Sequence, residues 1–239
     1  MPAAPHEYWQ EIHPSGTFAM PDSGFDAMFP ASLPDDRQIC LPIRSLPDDP
    51  AAGVASLIIN QASFAVADAL IDGMAEHARV HAPEVIVGVP TLGLGPADGV
   101  ARRLGHSRMV ALGISRKFWY RDELSVDLRS ITTPGGGKRL YLDPRMVPLL
   151  QGKRVVVIDD VLSSGSSLMA VLDLLALVGV TPVGAVFAML QGDRWRAPLA
   201  GRGGLLALTG AIRTPRLKKV GGGWFPQAAA ASADTDATG

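Results

Sequence analysis

Residues 155–167 read Val-Val-Val-Ile-Asp-Asp-Val-Leu-Ser-Ser-Gly-Ser-Ser. Four apolar β-branched residues predict a short buried strand. Asp159 and Asp160 stand at its C-terminal end, and a turn of Ser163, Ser164, Gly165, Ser166 and Ser167 leads into an apolar helical run from Leu168. In an open α/β sheet the strand ends face the ligand crevice. A Ser/Gly loop entering a helix offers an anion its backbone N–H groups, its hydroxyls and the positive end of the helix dipole. Two carboxylates beside such a cup suit sugar hydroxyls or a divalent cation. The stretch therefore reads as a site for a sugar phosphate. The plain alternative is a buried strand ending in two acids, followed by a turn and a helix cap. Agreement of strand, acid pair, loop and helix favours the functional reading.

The chain has 239 residues, 47% of them apolar, enough for one substantial core and a small extra lobe. A net charge of −1 provides no global field for nucleic acid or an anionic membrane. Cys40 is the single cysteine, which excludes an internal disulfide and fits a reducing compartment. No Lys or Arg precedes Arg37 and no apolar run follows the start, a pattern that predicts no secretory leader. Asn60, Gln61, Asp68 and Asp72 interrupt the greasy segment 54–75, so it is not a membrane span. A cytoplasmic location is expected.

Nine of the 19 prolines fall within residues 1–50, so this segment is expected to be extended or irregular, with one strand over 38–43. Its aromatics (Tyr8, Trp9, Phe18, Phe25 and Phe29) need somewhere to bury. Helical periodicity is expected over 54–81, a buried strand over 85–89, a helix ending near Gly105, and a strand over 109–114. After a long polar section come a strand at 154–158, a helix at 168–178, a strand at 183–190 and a short one at 203–208. Alternating strands and helices imply right-handed crossovers and a mainly parallel sheet. The division expected is a Pro-rich segment 1–53, a core 54–210, an extension 211–226 and a disordered tail 227–239.

The 155–167 stretch resembles, position for position, the phosphoribosyl pyrophosphate (PRPP) signature of the type I phosphoribosyltransferases. That family often has Thr where Ser164 and Ser167 stand here. Three further landmarks occur in the family's order. Pro90, Thr91, Leu92 and Gly93 stand where it has a backbone loop for pyrophosphate. Arg116 and Lys117 stand where its adenine and xanthine members carry a basic pair facing pyrophosphate and base. Residues 121–141 stand where it has a long mobile lid, with 135–137 as hairpin tip and hinge. A Walker A reading of this glycine run fails, because Thr132 replaces the first Gly and Arg139 follows Lys138. The resemblance covers about residues 55–192 and is closest to the purine enzymes.

It implies an α/β fold with a mainly parallel sheet flanked by helices, a variable hood over the base and a flexible lid loop. The implied reaction moves the 5-phosphoribosyl group from PRPP to a nitrogenous base, a purine-type one, with Mg²⁺ as cofactor and pyrophosphate as leaving group. Asp159 and Asp160 would hold ribose hydroxyls and Mg²⁺, directly or through water. Lys117, Lys138 and Arg139 would neutralise the leaving group, beside Arg116, Thr91, Leu92 and Gly93. Ser163, Ser164, Gly165, Ser166 and Ser167 would grip the 5-phosphate, and Val161 and Leu162 would floor the base site beneath an N-terminal aromatic. The partners implied are PRPP, a base and a second copy in a homodimer, with no nucleic acid and no membrane. A PRPP-sensing regulator of the same fold is the alternative, although a Pro-rich, poorly helical N-terminus does not suit the DNA-binding module such regulators carry. His77 and His81 are four apart but lack a third ligand nearby, so a solvated helix end is expected. The basic run Arg213, Arg216, Lys218, Lys219 reads as an exposed tail. No Gly-x-Ser-x-Gly elbow supports hydrolase chemistry.

Overall fold

The computed structural model describes residues 4–128, 138–201 and 206–227. Four strands come first: β1 (Ile12–His13), β2 (Met28–Ser32), β3 (Gln38–Leu46) and β4 (Asp49–Ala55). Helix α1 (Phe64–Arg79), β5 (Val85–Gly88), α2 (Leu94–Arg103) and β6 (Val110–Ala111) follow. Strands β7 (Ser125–Leu128) and β8 (Lys138–Tyr141) pair antiparallel, and the one-turn α3 (Val147–Leu150) comes next. Then come β9 (Val155–Leu162), α4 (Ser166–Ala176), β10 (Gly184–Gln191) and the short α5 (Arg196–Ala200). Strands β11 (Ala207–Thr214), β12 (Arg216–Val220) and β13 (Gly223–Pro226) complete the described elements.

The central sheet has the order β11-β10-β9-β5-β6, and every pairing in it is parallel. From β5 the chain steps outward through α2 to β6; from β9 it steps the other way through α4 to β10. Right-handed crossovers therefore place α2 and α4 on opposite faces. Their burial agrees: Ala97, Val100 and Ala101 join Val156, Ile158 and α1 in one apolar cluster. Leu168, Val171, Leu174 and Leu175 join Val155, Val157 and the β7–β8 hairpin in the other. The order reverses between β5 and β9, and the crevice at such a point is where open α/β sheets bind ligands.

Helix α1 begins where Ser63 Oγ accepts the Val66 N–H at 3.3 Å, a cap worth about 1 kcal/mol. Val66, Leu70, Met74 and Ala78 are all fully buried along one stripe of the helix. The helix expected over 54–81 is thus shorter than its periodicity suggests. Val54 and Ala55 instead pair with Arg44 and Ile43 in β4, because ladder bonds to β3 override the local pattern. The strand expected at 109–114 shrinks to two residues, while β9 runs on through the acid pair to Leu162.

The largest departure concerns the two ends of the sequence. Strands β1–β4 and β12–β13 form one antiparallel sheet ordered β1-β3-β4-β12-β13, with β2 on β3. The basic run is therefore no exposed tail: Leu217 is fully buried between its charged neighbours and packs with Phe25 and Trp224. The last strand of the parallel sheet begins at Ala207, later than expected, and β11 continues through 210, so the boundary at 210/211 falls inside a strand. The tail from 228 and the proposed hinge at 135–137 lie outside the described residues.

Candidate active site

The acid pair lies where β9 outruns β5. Gly88 is level with Ile158, and the chain leaves β5 as Val89 N–H donates to the Ile158 carbonyl at 3.0 Å. Asp159 is 7% exposed, and its Oδ1 accepts the Asp160 backbone N–H at 2.8 Å. Burial, reinforced by the like charge of Asp160, pushes the Asp159 carboxyl well above the usual carboxylate range. Asp160 is half-buried. Loop 89–93 lies directly on this pair: a Cβ on Gly93 would sit 2.6 Å from Asp159 Oδ1 and 2.7 Å from its Cα. Only glycine permits that approach. The Pro90–Thr91 peptide is cis. Thr91 is exposed and Leu92 half-buried, and α2 starts immediately after Gly93.

Across the crevice, Gly165 takes the left-handed conformation at φ 85° and turns the chain into α4. The N–H groups of Ser167 and Leu168 precede the helix's own ladder, which opens with Met169 N–H to the Gly165 carbonyl at 2.9 Å, while Ser166 N–H donates to Ser164 Oγ at 3.3 Å. Two helix N-termini thus open at one rim, beside two carboxylates. The hydroxyls divide their work. Ser164 Oγ and Ser166 Oγ share one hydrogen bond of 2.9 Å, which leaves one of their two protons for a ligand. Ser167 is exposed. Ser163 Oγ donates at 2.8 Å to Gln191 Oε1, so its hydroxyl proton is already committed. Val161 is half-buried, whereas Leu162 is 2% exposed in the apolar cluster beneath α4, so it offers a base no side-chain surface.

The basic residues gather less tightly. Arg116 and Lys117 are exposed after β6, with Arg116 Nε 2.9 Å from Asp122 Oδ1 in a solvated pair that costs little to break. Lys138 is exposed at the start of β8. Arg139 instead staples the β7–β8 hairpin, donating to Ser125 Oγ at 2.7 Å and lying 3.1 Å from Asp127 Oδ1. Its guanidinium is therefore engaged within the hairpin.

A cluster not legible in the sequence buttresses the Arg116–Lys117 segment. Asp143, 8% exposed, accepts from Arg145 and from Trp119 Nε1 at 3.2 Å, while the Arg145 guanidinium covers the Trp119 ring at 4.7 Å. The Arg145 hydrogen bonds hold the Asp143 carboxyl at about 2, from an ordinary 3.8. The folded value lies below the unfolded one, so the stabilisation is full above about pH 4 and is lost as the pH falls toward 2. With the guanidinium largely solvated, about 1–2 kcal/mol is expected at neutral pH. Asp143→Asn should lower the urea midpoint at pH 7, and the difference from the parent should shrink at pH 3; an equal difference at both would contradict this.

A cavity of about 840 Å³ is lined by Tyr8, Trp9, His13, Phe18, Phe25 and Cys40, among others. It includes none of the acid-pair or loop residues, and chemistry rather than volume locates the candidate site. Tyr8 and Trp9 are buried, so neither is free to stack on a ligand over the acid pair. Among the described residues no helix is long and apolar enough to cross a membrane.

A model of the phosphoribosyl transferase domain matches residues 54–203, more than half of the chain. The chain belongs to the type I phosphoribosyltransferases, enzymes of the pentosyltransferase class. Adenine phosphoribosyltransferase of Rhodospirillum centenum is 26% identical over 155 residues, 62% of this chain and 83% of that protein. The Gluconobacter oxydans enzyme of the same name is 30% identical over 162 residues, 60% of this chain and 77% of that one. Among solved structures, the APRTase of Giardia lamblia complexed with 9-deazaadenine has a TM-score of 0.55 at 22% identity, covering 72% of this chain and 93% of its own. Adenine phosphoribosyltransferase of Saccharomyces cerevisiae gives 0.54 at 17% identity, with the same coverage. These structures share the fold. Most of the antiparallel sheet, including β1–β3, β12 and β13, falls outside the family match.

Proposed function

We propose that the protein transfers the 5-phosphoribosyl group of PRPP to a ring nitrogen of a purine-type base, adenine first among candidates, in a Mg²⁺-dependent reaction. One observation carries the reading: a buried and a half-buried carboxylate lie side by side at the switch point, between two helix N-termini. In the reaction the bond from ribose C1 to the pyrophosphate oxygen breaks, its electron pair leaving with pyrophosphate. The base nitrogen supplies the pair for the new C1–N bond, and its proton passes to the departing pyrophosphate or to water.

The acid pair suits Mg²⁺, because a buried carboxylate beside a like charge is held ionised most readily by a cation. Asp159 and Asp160 would hold it, directly or through water, together with the ribose hydroxyls. Bound there, Mg²⁺ supplies Lewis-acid neutralisation of the pyrophosphate oxygens. The backbone at Thr91, Leu92 and Gly93 would orient the pyrophosphate. Ser164, Gly165, Ser166 and Ser167 would hold the 5-phosphate, while Ser163 contributes through its backbone. Lys117 and Lys138 would add charge to the leaving group, with Arg116 and Arg139 joining only on release from Asp122, Ser125 and Asp127. Val161 would floor the base, and the antiparallel sheet would act as its hood. The names of the two bacterial relatives favour adenine. A cytoplasmic homodimer without nucleic-acid or membrane partners completes the reading.

The test is pyrophosphate release from PRPP and Mg²⁺ across adenine, hypoxanthine, guanine, xanthine, orotate and uracil. Release with a purine alone is expected. Release only with a pyrimidine would overturn the base class, and silence across the set with PRPP still bound would favour a PRPP-sensing role.

A further inference from the structure

Strand β10 is apolar from Gly184 to Leu190 and then ends in an amide, Gln191. An amide at the end of a buried strand is costly unless both its ends are bonded, and here both are. Gln191 Nε2 donates to the Ala55 carbonyl at 2.8 Å, and Oε1 accepts from Ser163 Oγ at 2.8 Å. A carbonyl can only accept, so the Ala55 contact fixes which way the amide faces. The Ser163 hydroxyl must then be the donor.

The two partners belong to different parts of the molecule. Ala55 is the last residue of β4, fully buried, in the antiparallel sheet. Ser163 is the first residue of the loop that runs from β9 into α4. Just beyond it, Gly192 N–H donates to the Thr214 carbonyl at the end of β11 at 2.8 Å, and the side chain of Arg216, the first residue of β12 in the antiparallel sheet, lies against Gly192. Arg216 in turn pairs with Val54 of β4. The end of β10 is therefore a seam at which the antiparallel sheet meets the phosphate loop, and the amide is the hydrogen-bonded link across it.

We infer that Gln191 is a positioning residue: by fixing Ser163 against β4 it sets the loop's N–H groups for the phosphate and couples the hood sheet to them. The inference rests on the proposed function in taking that loop as the 5-phosphate site.

The test is calorimetric titration of the full chain with ribose 5-phosphate, for the parent and for Gln191→Leu, Gln191→Glu, Ser163→Ala and the Leu/Ala double variant. Loss of the amide's two bonds should weaken binding roughly tenfold. Ser163→Ala should weaken it too, and the double variant should be no worse than Gln191→Leu, since one chain of bonds is broken in each. Gln191→Glu should bind poorly when ionised, because a carboxylate faces the Ala55 carbonyl. It should recover relative to the parent as falling pH protonates it and restores a donor. If Gln191→Leu does not fold, Gln191→Glu and its recovery carry the test. Parent-like binding by Gln191→Leu, additive single effects, or no recovery in Gln191→Glu would overturn the inference and leave the proposed function standing. No binding of ribose 5-phosphate by the parent chain would overturn both.

Discussion

Asp160→Asn is expected to lower kcat/KM by about 2–4 kcal/mol of transition-state stabilisation, roughly 30- to 1000-fold, with little change in fold. The substitution keeps the shape of the side chain and removes its charge. Asp160 is half-buried at the switch point, so its carboxylate is reachable by ligand yet poorly screened. Asp159→Asn should lose activity similarly, but its stability should move the other way. The Asp159 carboxyl sits well above its ordinary range through burial and the Asp160 charge. Its ionisation therefore costs folding free energy, progressively as the pH rises above the unfolded value. An asparagine keeps an Oδ1 to accept the Asp160 N–H and carries no such cost. Thermal denaturation at neutral pH without Mg²⁺ should place Asp159→Asn above the parent. Unchanged steady-state rates in both variants would remove the acid pair from the mechanism.

Gly93→Ala is the second large expected effect, and it acts by sterics alone. The added Cβ would meet Asp159 Oδ1 at 2.6 Å, Asp159 Cα at 2.7 Å and the Val89 carbonyl oxygen at 2.7 Å. Two of these are backbone atoms, so no side-chain rotation relieves the clash. Overpacking of this kind costs about 1–3 kcal/mol of stability. The loop should also lift from the acid pair, so activity should fall by more than the loss of folded protein explains. A urea titration alongside pyrophosphate-release rates separates the two, and parent-like values in both would contradict the placement of this loop.

The parts of the site legible in the sequence are those whose chemistry is contiguous. Strand, acid pair, small-residue loop and helix follow one another within residues 155–167, so local pattern and function coincide. The antiparallel sheet was not legible, because its pairings join residues far apart: Arg216 meets Val54, and Trp224 meets Phe25. Prolines in β2, β3 and β4 obscure its strands further. The run Arg-Leu-Lys-Lys reads as a tail because a single leucine carries its burial.

Arg139 shows a different limit. Its position after the glycine run points to the leaving group, yet the hairpin register sets it opposite Asp127, where a partner is already present. Ser163 reads as a phosphate hydroxyl until it is seen donating its hydrogen bond to Gln191 Oε1. A signal for Gln191 did exist: it is the one amide in an otherwise apolar strand, at the strand end where open α/β sheets place their ligands.

The central claim is most directly tested by following PRPP with adenine and Mg²⁺ by ³¹P NMR in the presence of the full chain. The account predicts that the PRPP resonances fall while those of pyrophosphate and a nucleoside monophosphate rise in equal amounts, and that omission of either adenine or Mg²⁺ stops the change. PRPP that binds but stays intact with every purine, or that decays without forming a nucleotide, would contradict it.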